Sequence, residues 1–250
     1  GNGQFASPRG IAVDSSDNIY VVDSDNSRVQ KFNSSGVYQS QFGSYGTGDG
    51  KFNGAVAVAV DSTGNIYVTD TNSHRVQKFN SSGVYQSQFG TQGSGNGQFE
   101  YPLGIAFDSV DNMYVSDLNH RVQKFNSSGV YQSQFGTAGA GNGQFDYPLG
   151  IAIDSNDSVY IADYGLNRVQ KFDSSGVYQS QFGVGGSSGN GFFSHLDGIT
   201  IDSAGYIYAV DTANHRVQKF IENFHEGDFS ANITGLTCGT TYHYRAYANN

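Results

Sequence analysis

The chain has 250 residues, a formal net charge of -9 and only 14% charged side chains. That length can bury a sizeable core. The acidic balance excludes a nucleic-acid binder working through a basic face, because neutralising phosphates needs clustered Lys and Arg. No apolar run reaches membrane-spanning length, scarce charge argues against an anionic membrane surface as partner, and the single cysteine, Cys238, has no internal disulfide partner.

In chain order, residues 1–5 read Gly-Asn-Gly-Gln-Phe, a string that returns at 95–99 and 141–145 and closes a glycine-rich connector. Residues 10–14, Gly-Ile-Ala-Val-Asp, are short, apolar and β-branched, as a buried strand should be. Residues 15–18 supply a polar turn, and Ile-Tyr-Val-Val at 19–22 is a second apolar strand ended by Asp23. After a turn at 24–27, Val-Gln-Lys-Phe at 29–32 alternates as a half-exposed strand does. Asn-Ser-Ser-Gly at 33–36 predicts a hairpin turn with Gly36 at positive φ. Residues 37–42 form a fourth and most polar strand.

The sixteen residues from Arg28 to Gly43 return unchanged at 75–90 and 121–136, and at 168–183 with Asp173 in place of Asn. A fifth copy starts at Arg216 and stops after Phe220. One Asp precedes each copy (Asp23, Asp70, Asp117, Asp163, Asp211), and another lies further upstream (Asp14, Asp61, Asp108, Asp154, Asp202). All these markers step by 46 to 48 residues, near the period of a four-stranded propeller blade. Two buried strands, one mixed and one polar match the gradient from propeller axis to rim. The predicted fold is therefore all-β: a propeller of five four-stranded repeats, the fifth either open or completed by the tail.

The repeats are not all alike. Blade two, residues 51–90, has Ala57 where the glycine falls and lacks the proline; blade three, 99–136, is one residue shorter before Arg121. Blade four, 145–183, carries Tyr164-Gly165-Leu166-Asn167 in its turn, and blade five starts near Phe192 with Leu196 at the proline position.

Pro-x-Gly-Ile-Ala-x-Asp, then Ile-Tyr-Val-x-Asp, then Asn-x-His-Arg-Val-Gln-Lys-Phe resembles the NHL repeat of β-propellers. The pattern is fullest over residues 102–125 and is echoed at 8–32 and 148–172, so residues 1–220 are expected to form an NHL-like propeller. Residues 221–250 differ. Ile-Thr-Gly-Leu-Thr-Cys-Gly-Thr-Thr-Tyr at 233–242 and Tyr-Arg-Ala-Tyr-Ala at 244–248 resemble late strands of a fibronectin type III domain, about a third of one, which cannot close a sandwich alone. Two alternating stretches there, 229–236 and 241–248, are long enough for strands. One of them is expected to cover the edge left by the fifth copy, either within the molecule or in a neighbour.

The recurring pairs Asp23/Arg28, Asp70/Arg75, Asp117/Arg121, Asp163/Arg168 and Asp211/Arg216 flank one turn in every repeat. Their repetition predicts a structural carboxylate–guanidinium pair; an active site needs different residues in different blades. His74, His120 and His215 sit just before the repeat Arg, with Ser27 and Asn167 at that place in the other two full turns. Three His could serve a metal, but the resemblance makes them ordinary repeat chemistry, so neither metal nor cofactor is expected. Asp23-x-Asp25-x-Ser27 lacks the Gly and closing Glu of a calcium loop, and no nucleophile elbow or phosphate loop is present.

Asn33, Asn80, Asn126, Asn156 and Asn232 fit the glycosylation sequon, though Asn, Ser and Gly also make good turns. Some NHL propellers bind RNA, which this chain's acidity opposes. The expected function is a non-catalytic extracellular or cell-surface scaffold or interaction module, with a protein or carbohydrate partner or self-association through the C-terminal strands. The alternative is an NHL-type propeller enzyme, a lyase or hydrolase. It would show a cluster of unlike polar residues at one mouth of the central channel.

Overall fold

The computed structural model describes residues 1–221 and the strand Asn232–Ile233. The fibronectin-like resemblance, Cys238, His225 and His243 fall on the remaining residues, outside that description.

Five antiparallel four-stranded sheets follow one another along the chain. Blade one is Pro8–Val13, Ile19–Asp23, Arg28–Phe32 and Tyr38–Phe42. Blade two is Ala55–Val60, Ile66–Asp70, Arg75–Phe79 and Tyr85–Phe89. Blade three is Ile105–Phe107, Met113–Asp117, Arg121–Phe125 and Tyr131–Phe135. Blade four is Pro148–Ile153, Val159–Asp163, Arg168–Phe172 and Tyr178–Phe182. Blade five has Leu196–Ile201, Ile207–Asp211, Arg216–Phe220 and, from the tail, Asn232–Ile233. The only helical turns among the described residues are three 3-10 turns, Ser24–Asn26, Thr71–Ser73 and Thr212–Asn214.

The tail strand takes the place that the missing copy leaves. Val217 pairs with Ile233 and Gln218 with Asn232, as Val29 pairs with Phe42 and Gln30 with Gln41 in blade one. The edge of blade five's third strand is thus paired at Val217 and Gln218 from within the chain. In the full copies the fourth strand begins at Tyr38 rather than at residue 37, because the Asn33 N–H donates to the Val37 carbonyl and closes the turn there. Gly36 sits at φ 75°, as its turn requires. The connectors cross from rim to axis by doubling back on themselves, with parallel bridges Tyr45↔Phe52, Gln92↔Phe99 and Ala138↔Phe145, and Val184–Gly185 beside Phe192–Phe193 in the fourth.

Each of the three interior blades buries both faces against its neighbours. Tyr20, Val22 and Val29 of blade one pack on Val58, Ile66, Val68 and the connector's Phe52; the same set of positions meets at the later junctions. Phe42 at the end of one blade stacks near Phe79 of the next, with ring centroids 4.7 Å apart. Short polar side chains add cross-blade bonds: Ser24 Oγ donates to the Ala55 carbonyl at 2.8 Å and Thr71 Oγ1 to the Pro102 carbonyl at 2.7 Å.

One expectation fails at the ends of the array. The innermost strand of blade one was expected to be buried, yet Ile11 is 66% exposed where its counterparts Val58, Ile105 and Ile151 are 5%, 7% and 8%. Phe5 is 41% exposed, whereas Phe52, Phe99, Phe145 and Phe193 are wholly buried. The physical reason is positional: those phenylalanines wedge against the preceding blade, and no blade covers this face. Substituting Phe99→Ala is therefore expected to cost about 3–5 kcal/mol, with Phe5→Ala costing far less; equal losses in urea unfolding midpoints would contradict this account of the junctions.

Candidate functional site

The pentapeptide Arg-Val-Gln-Lys-Phe recurs because each side chain has a structural partner. Val29 and Phe32 lie in the core. Lys31 Nζ stands 5.0 Å over the Tyr20 ring, and the counterparts over Tyr67, Tyr114, Tyr160 and Tyr208 lie at 4.8 to 5.3 Å, a cation–π contact. Gln30 accepts from the Gly3 N–H at 2.9 Å and donates to the Gln4 carbonyl at 2.8 Å, holding the connector. Arg28 Nε donates to Asp23 Oδ2 at 2.7 Å, its Nη2 to the carbonyls of Gly1 and Gln4, and its Nη1 to Gln41 of the fourth strand. Ten of the thirteen cationic residues are thereby committed to the fold.

The carboxylates beneath these arginines are fully buried, but their surroundings differ. Burial acts to raise the Asp23 carboxyl; bonds from the Ala6 N–H, Asn26 and Arg28 outweigh it and hold the group below the ordinary aspartate range. Blade four has Leu166 where Asn26 stands, and its pair is looser. Arg168 Nε is 3.6 Å from Asp163 Oδ2, and among the described residues neither atom has a hydrogen-bond partner. There burial dominates and pushes the Asp163 carboxyl up; the same cause raises Asp117.

His74, His120 and His215 end the turn before each Arg in the left-handed conformation, at φ 53°, 59° and 53°, as do Ser27 and Asn167 at 51° and 53°. Position, rather than imidazole chemistry, is what these five share. Among the described residues no group of three or more His, Cys, Asp or Glu is placed to hold a metal ion. The sequon residues Asn33, Asn80 and Asn126 sit in the expected rim turns, each accepting on Oδ1 from the N–H groups two and four residues ahead. Asn156 is exposed in another turn.

The two ends of the central channel are unlike. At one, the turns Asp14-Ser15, Asp61-Ser62, Asp108-Ser109, Asp154-Ser155 and Asp202-Ser203 repeat the same pair in every blade. A cavity of about 340 Å³ opens there, lined by Phe107, Asp108, Ile153, Asp154, Ile201 and Asp202 among others. Its carboxylates are already engaged: Asp154, for example, accepts from the N–H groups of Asn156 and Ser158 and from the Tyr160 hydroxyl.

At the other end the residue preceding Pro8, Ala55, Pro102, Pro148 and Leu196 changes from blade to blade: Ser7, Gly54, Tyr101, Tyr147 and His195. Tyr147, Tyr164 and His195 form a row, with centroids 5.5 Å apart in the first pair and 5.2 Å in the stacked second. Tyr101 packs 4.6 Å from His74 and donates its N–H to His74 Nδ1. Burial raises the Tyr147 hydroxyl, the charge of Arg9 opposes this, and Tyr164 and Asp197 add to it, so all three lie within its electrostatic reach. Asp197 also accepts from the Thr212 hydroxyl. Sequence reasoning missed this convergence. Its signal was a position, directly before Pro8, Ala55, Pro102, Pro148 and Leu196, at which otherwise similar repeats carry five residues of four types.

These features define a five-bladed β-propeller carrying NHL repeats. Residues 5–32, 52–79, 145–172 and 193–220 match the NHL repeat. Residues 102–125, where the sequence pattern looked fullest, are not among the matched stretches; the blade there has the shortened turn before Arg121, yet pairs in the same register as the others. No curated protein matches the chain.

Among solved structures, a streptogramin B lyase superposes with TM-score 0.67 at 14% identity, covering 94% of this chain and 70% of that one. A virginiamycin B lyase from Staphylococcus aureus gives 0.65 at 14%, covering 92% and 71%. A nidogen/laminin complex gives 0.65 at 16%, covering 86% and 75%. At these identities the likeness is one of fold.

The buried pairs carry a pH signature. Asp23, held low, contributes stability that is present above the ordinary aspartate pKa of about 3.9 and is lost as pH falls below it. Asp163, pushed up, runs the other way: its contribution is greatest in acid and is lost as pH rises through its raised value. At neutral pH, Asp70→Asn is expected to cost about 3–5 kcal/mol, the loss from breaking a buried pair, and Asp163→Asn distinctly less. Urea midpoints of the two variants at pH 7 check the order.

Proposed function

We propose that this chain is a non-catalytic interaction module of the extracellular space or cell surface. It receives a protein partner at the mouth where Arg9, Tyr101, Tyr147, Tyr164 and His195 converge. The observation that carries this reading is the contrast between the two ends of the channel. One repeats Asp-Ser in every blade, while the other changes residue type around half-buried Tyr147 and Tyr164 and exposed His195, with Arg9 and Asp197 in electrostatic reach of Tyr147. A cluster of unlike polar residues at one mouth is also what a propeller lyase or hydrolase would show, and the aromatic character of the row is what favours binding over catalysis. Tyr and Arg are the residues most enriched at the anchoring points of protein interfaces, since they combine apolar area with a polar tip. Nearly all other cations are tied into the fold, so Arg9 is one of very few free to recognise a partner by charge. The sequons in exposed rim turns support a secreted setting, and the solved nidogen/laminin complex is a propeller-containing assembly of two proteins.

The test is to screen the immobilised chain against secreted and cell-surface ectodomains, and then to compare Tyr164→Ala and Arg9→Ala with the parent. Each substitution is expected to weaken binding about tenfold or more without moving the melting temperature. Unchanged affinity in both variants sinks the assignment of this mouth.

A further inference from the structure

Blade three is held differently from the others at the variable mouth. In the other four blades the carbonyl of the mouth residue accepts from the N–H just after the buried Asp. Ser7 accepts from Ser24, Gly54 from Thr71, Tyr147 from Tyr164 and His195 from Thr212, at 2.9 to 3.4 Å. In blade three the turn before Arg121 is one residue shorter. The N–H after Asp117, that of Leu118, reaches the Glu100 carbonyl instead, at 2.7 Å. Tyr101 is left without that anchor, yet it stands in the left-handed conformation at φ 49°. This conformation is unfavourable for an aromatic residue, whereas Gly54 takes it freely at the same place in blade two.

What ties Tyr101 down is His74, from the blade before. Its Nδ1 accepts the Tyr101 N–H at 3.2 Å, and the two rings pack with centroids 4.6 Å apart. Only a neutral imidazole has a ring nitrogen free to accept; the protonated ring is a donor at both nitrogens. His120 provides the comparison, because it stands as far before Tyr147 as His74 does before Tyr101. The Tyr147 N–H goes to Asp163 Oδ1 at 3.1 Å. His120 Nδ1 is buried with no hydrogen-bond partner among the described residues, and Tyr147 does not adopt a positive φ. The same His-to-Tyr spacing thus gives one tied pair and one untied pair.

We infer that His74 is a proton-sensitive latch on Tyr101. With the imidazole neutral, Tyr101 is held at the mouth in its left-handed conformation. When the ring takes a proton, in the mildly acid range where imidazoles titrate, two N–H groups face each other. The Tyr101 backbone then leaves the left-handed region and carries its ring away from the mouth. The titratable and charged groups on the elements packed around His74 are few. Asp70 and Arg75 pair with each other at 2.8 Å, as Asp117 and Arg121 do at 3.2 Å. Glu100 accepts from Gln92 Nε2 at 3.5 Å, and the last group is the Tyr101 hydroxyl. The effect of the latch on binding rests on the reading of this mouth as a partner site; the latch itself does not. By linkage, a partner that packs on the held Tyr101 binds the neutral form better.

The test is nuclear magnetic resonance of the full chain between about pH 8 and 5. The Tyr101 amide is expected to titrate with the same midpoint as the His74 ring and to lose hydrogen-exchange protection with it. His74→Gln keeps an acceptor that does not titrate, so the Tyr101 transition is expected to vanish. His74→Phe keeps a ring without an acceptor and is expected to show Tyr101 released at every pH. His120→Gln is expected to leave the Tyr101 transition in place.

A Tyr101 amide that stays put while the His74 ring titrates overturns the inference. So does a transition that survives His74→Gln or disappears in His120→Gln. With a partner in hand, the parent's affinity is expected to fall about tenfold from pH 7.5 to 5.5, and that of His74→Gln to stay level. An equal fall in both removes the latch from binding and leaves the mouth assignment to Arg9→Ala and Tyr164→Ala.

Discussion

Every blade depends on a carboxylate taken wholly out of water. Burying such a charge is costly unless donors surround it, and Asp23 obtains them from three directions: the connector's Ala6 N–H, the turn's Asn26 and the third strand's Arg28. The guanidinium then spends its remaining donors on connector carbonyls and on Gln41 of the fourth strand. One buried ion pair thus ties together the connector and three of the four strands. This is why the Arg of the string recurs with its Asp in every repeat: altering either leaves a buried donor or acceptor unsatisfied.

Blade four shows how far the arrangement tolerates drift. With Leu166 in the turn the carboxylate lacks the side-chain amide donor that Asn26 supplies in blade one, keeping the N–H groups of Asp146 and Tyr147, and the guanidinium stands back at 3.6 Å. The strands nevertheless keep their register, Asp163 opposite Arg168, and Arg168 still bonds the connector carbonyls of Ala140, Gly141 and Gln144. The cross-strand ladder and the connector bonds carry the geometry when the ion pair weakens. The changed turn also places Tyr164 beside His195 at the variable mouth, so the loosened pair and the aromatic row have the same origin in sequence.

Between blades the organising force is apolar burial, and it is strictly nearest-neighbour. Each sheet has two apolar faces and is satisfied only when both are covered, as in other stacked-repeat proteins. Interior blades meet this condition through a Phe from the connector and a Tyr-x-Val face from the sheet. The terminal blades meet it on one side. The rim is governed by other rules: the fourth strands are polar and largely exposed, and Val37, Val84, Val130 and Val177 recur there although exposed; nothing in the structure explains their repetition.

The sequence by itself determined the repeat, its period, the order of strands from axis to rim and the pairing of Asp with Arg. These are local consequences of strand alternation, turn chemistry and a string copied within the chain. The need for a tail strand beside Arg216–Phe220 was also legible, because an unpaired edge carries unsatisfied backbone groups. Tertiary structure alone decided which blade faces are covered, since a strand's sequence is the same whether or not a neighbour packs on it: Ile11 and Ile151 read alike and are buried to very different degrees. It alone also assembled Tyr147, Tyr164 and His195, which lie far apart along the chain. Only blade-to-blade packing around a common axis brings residues from successive repeats to one mouth.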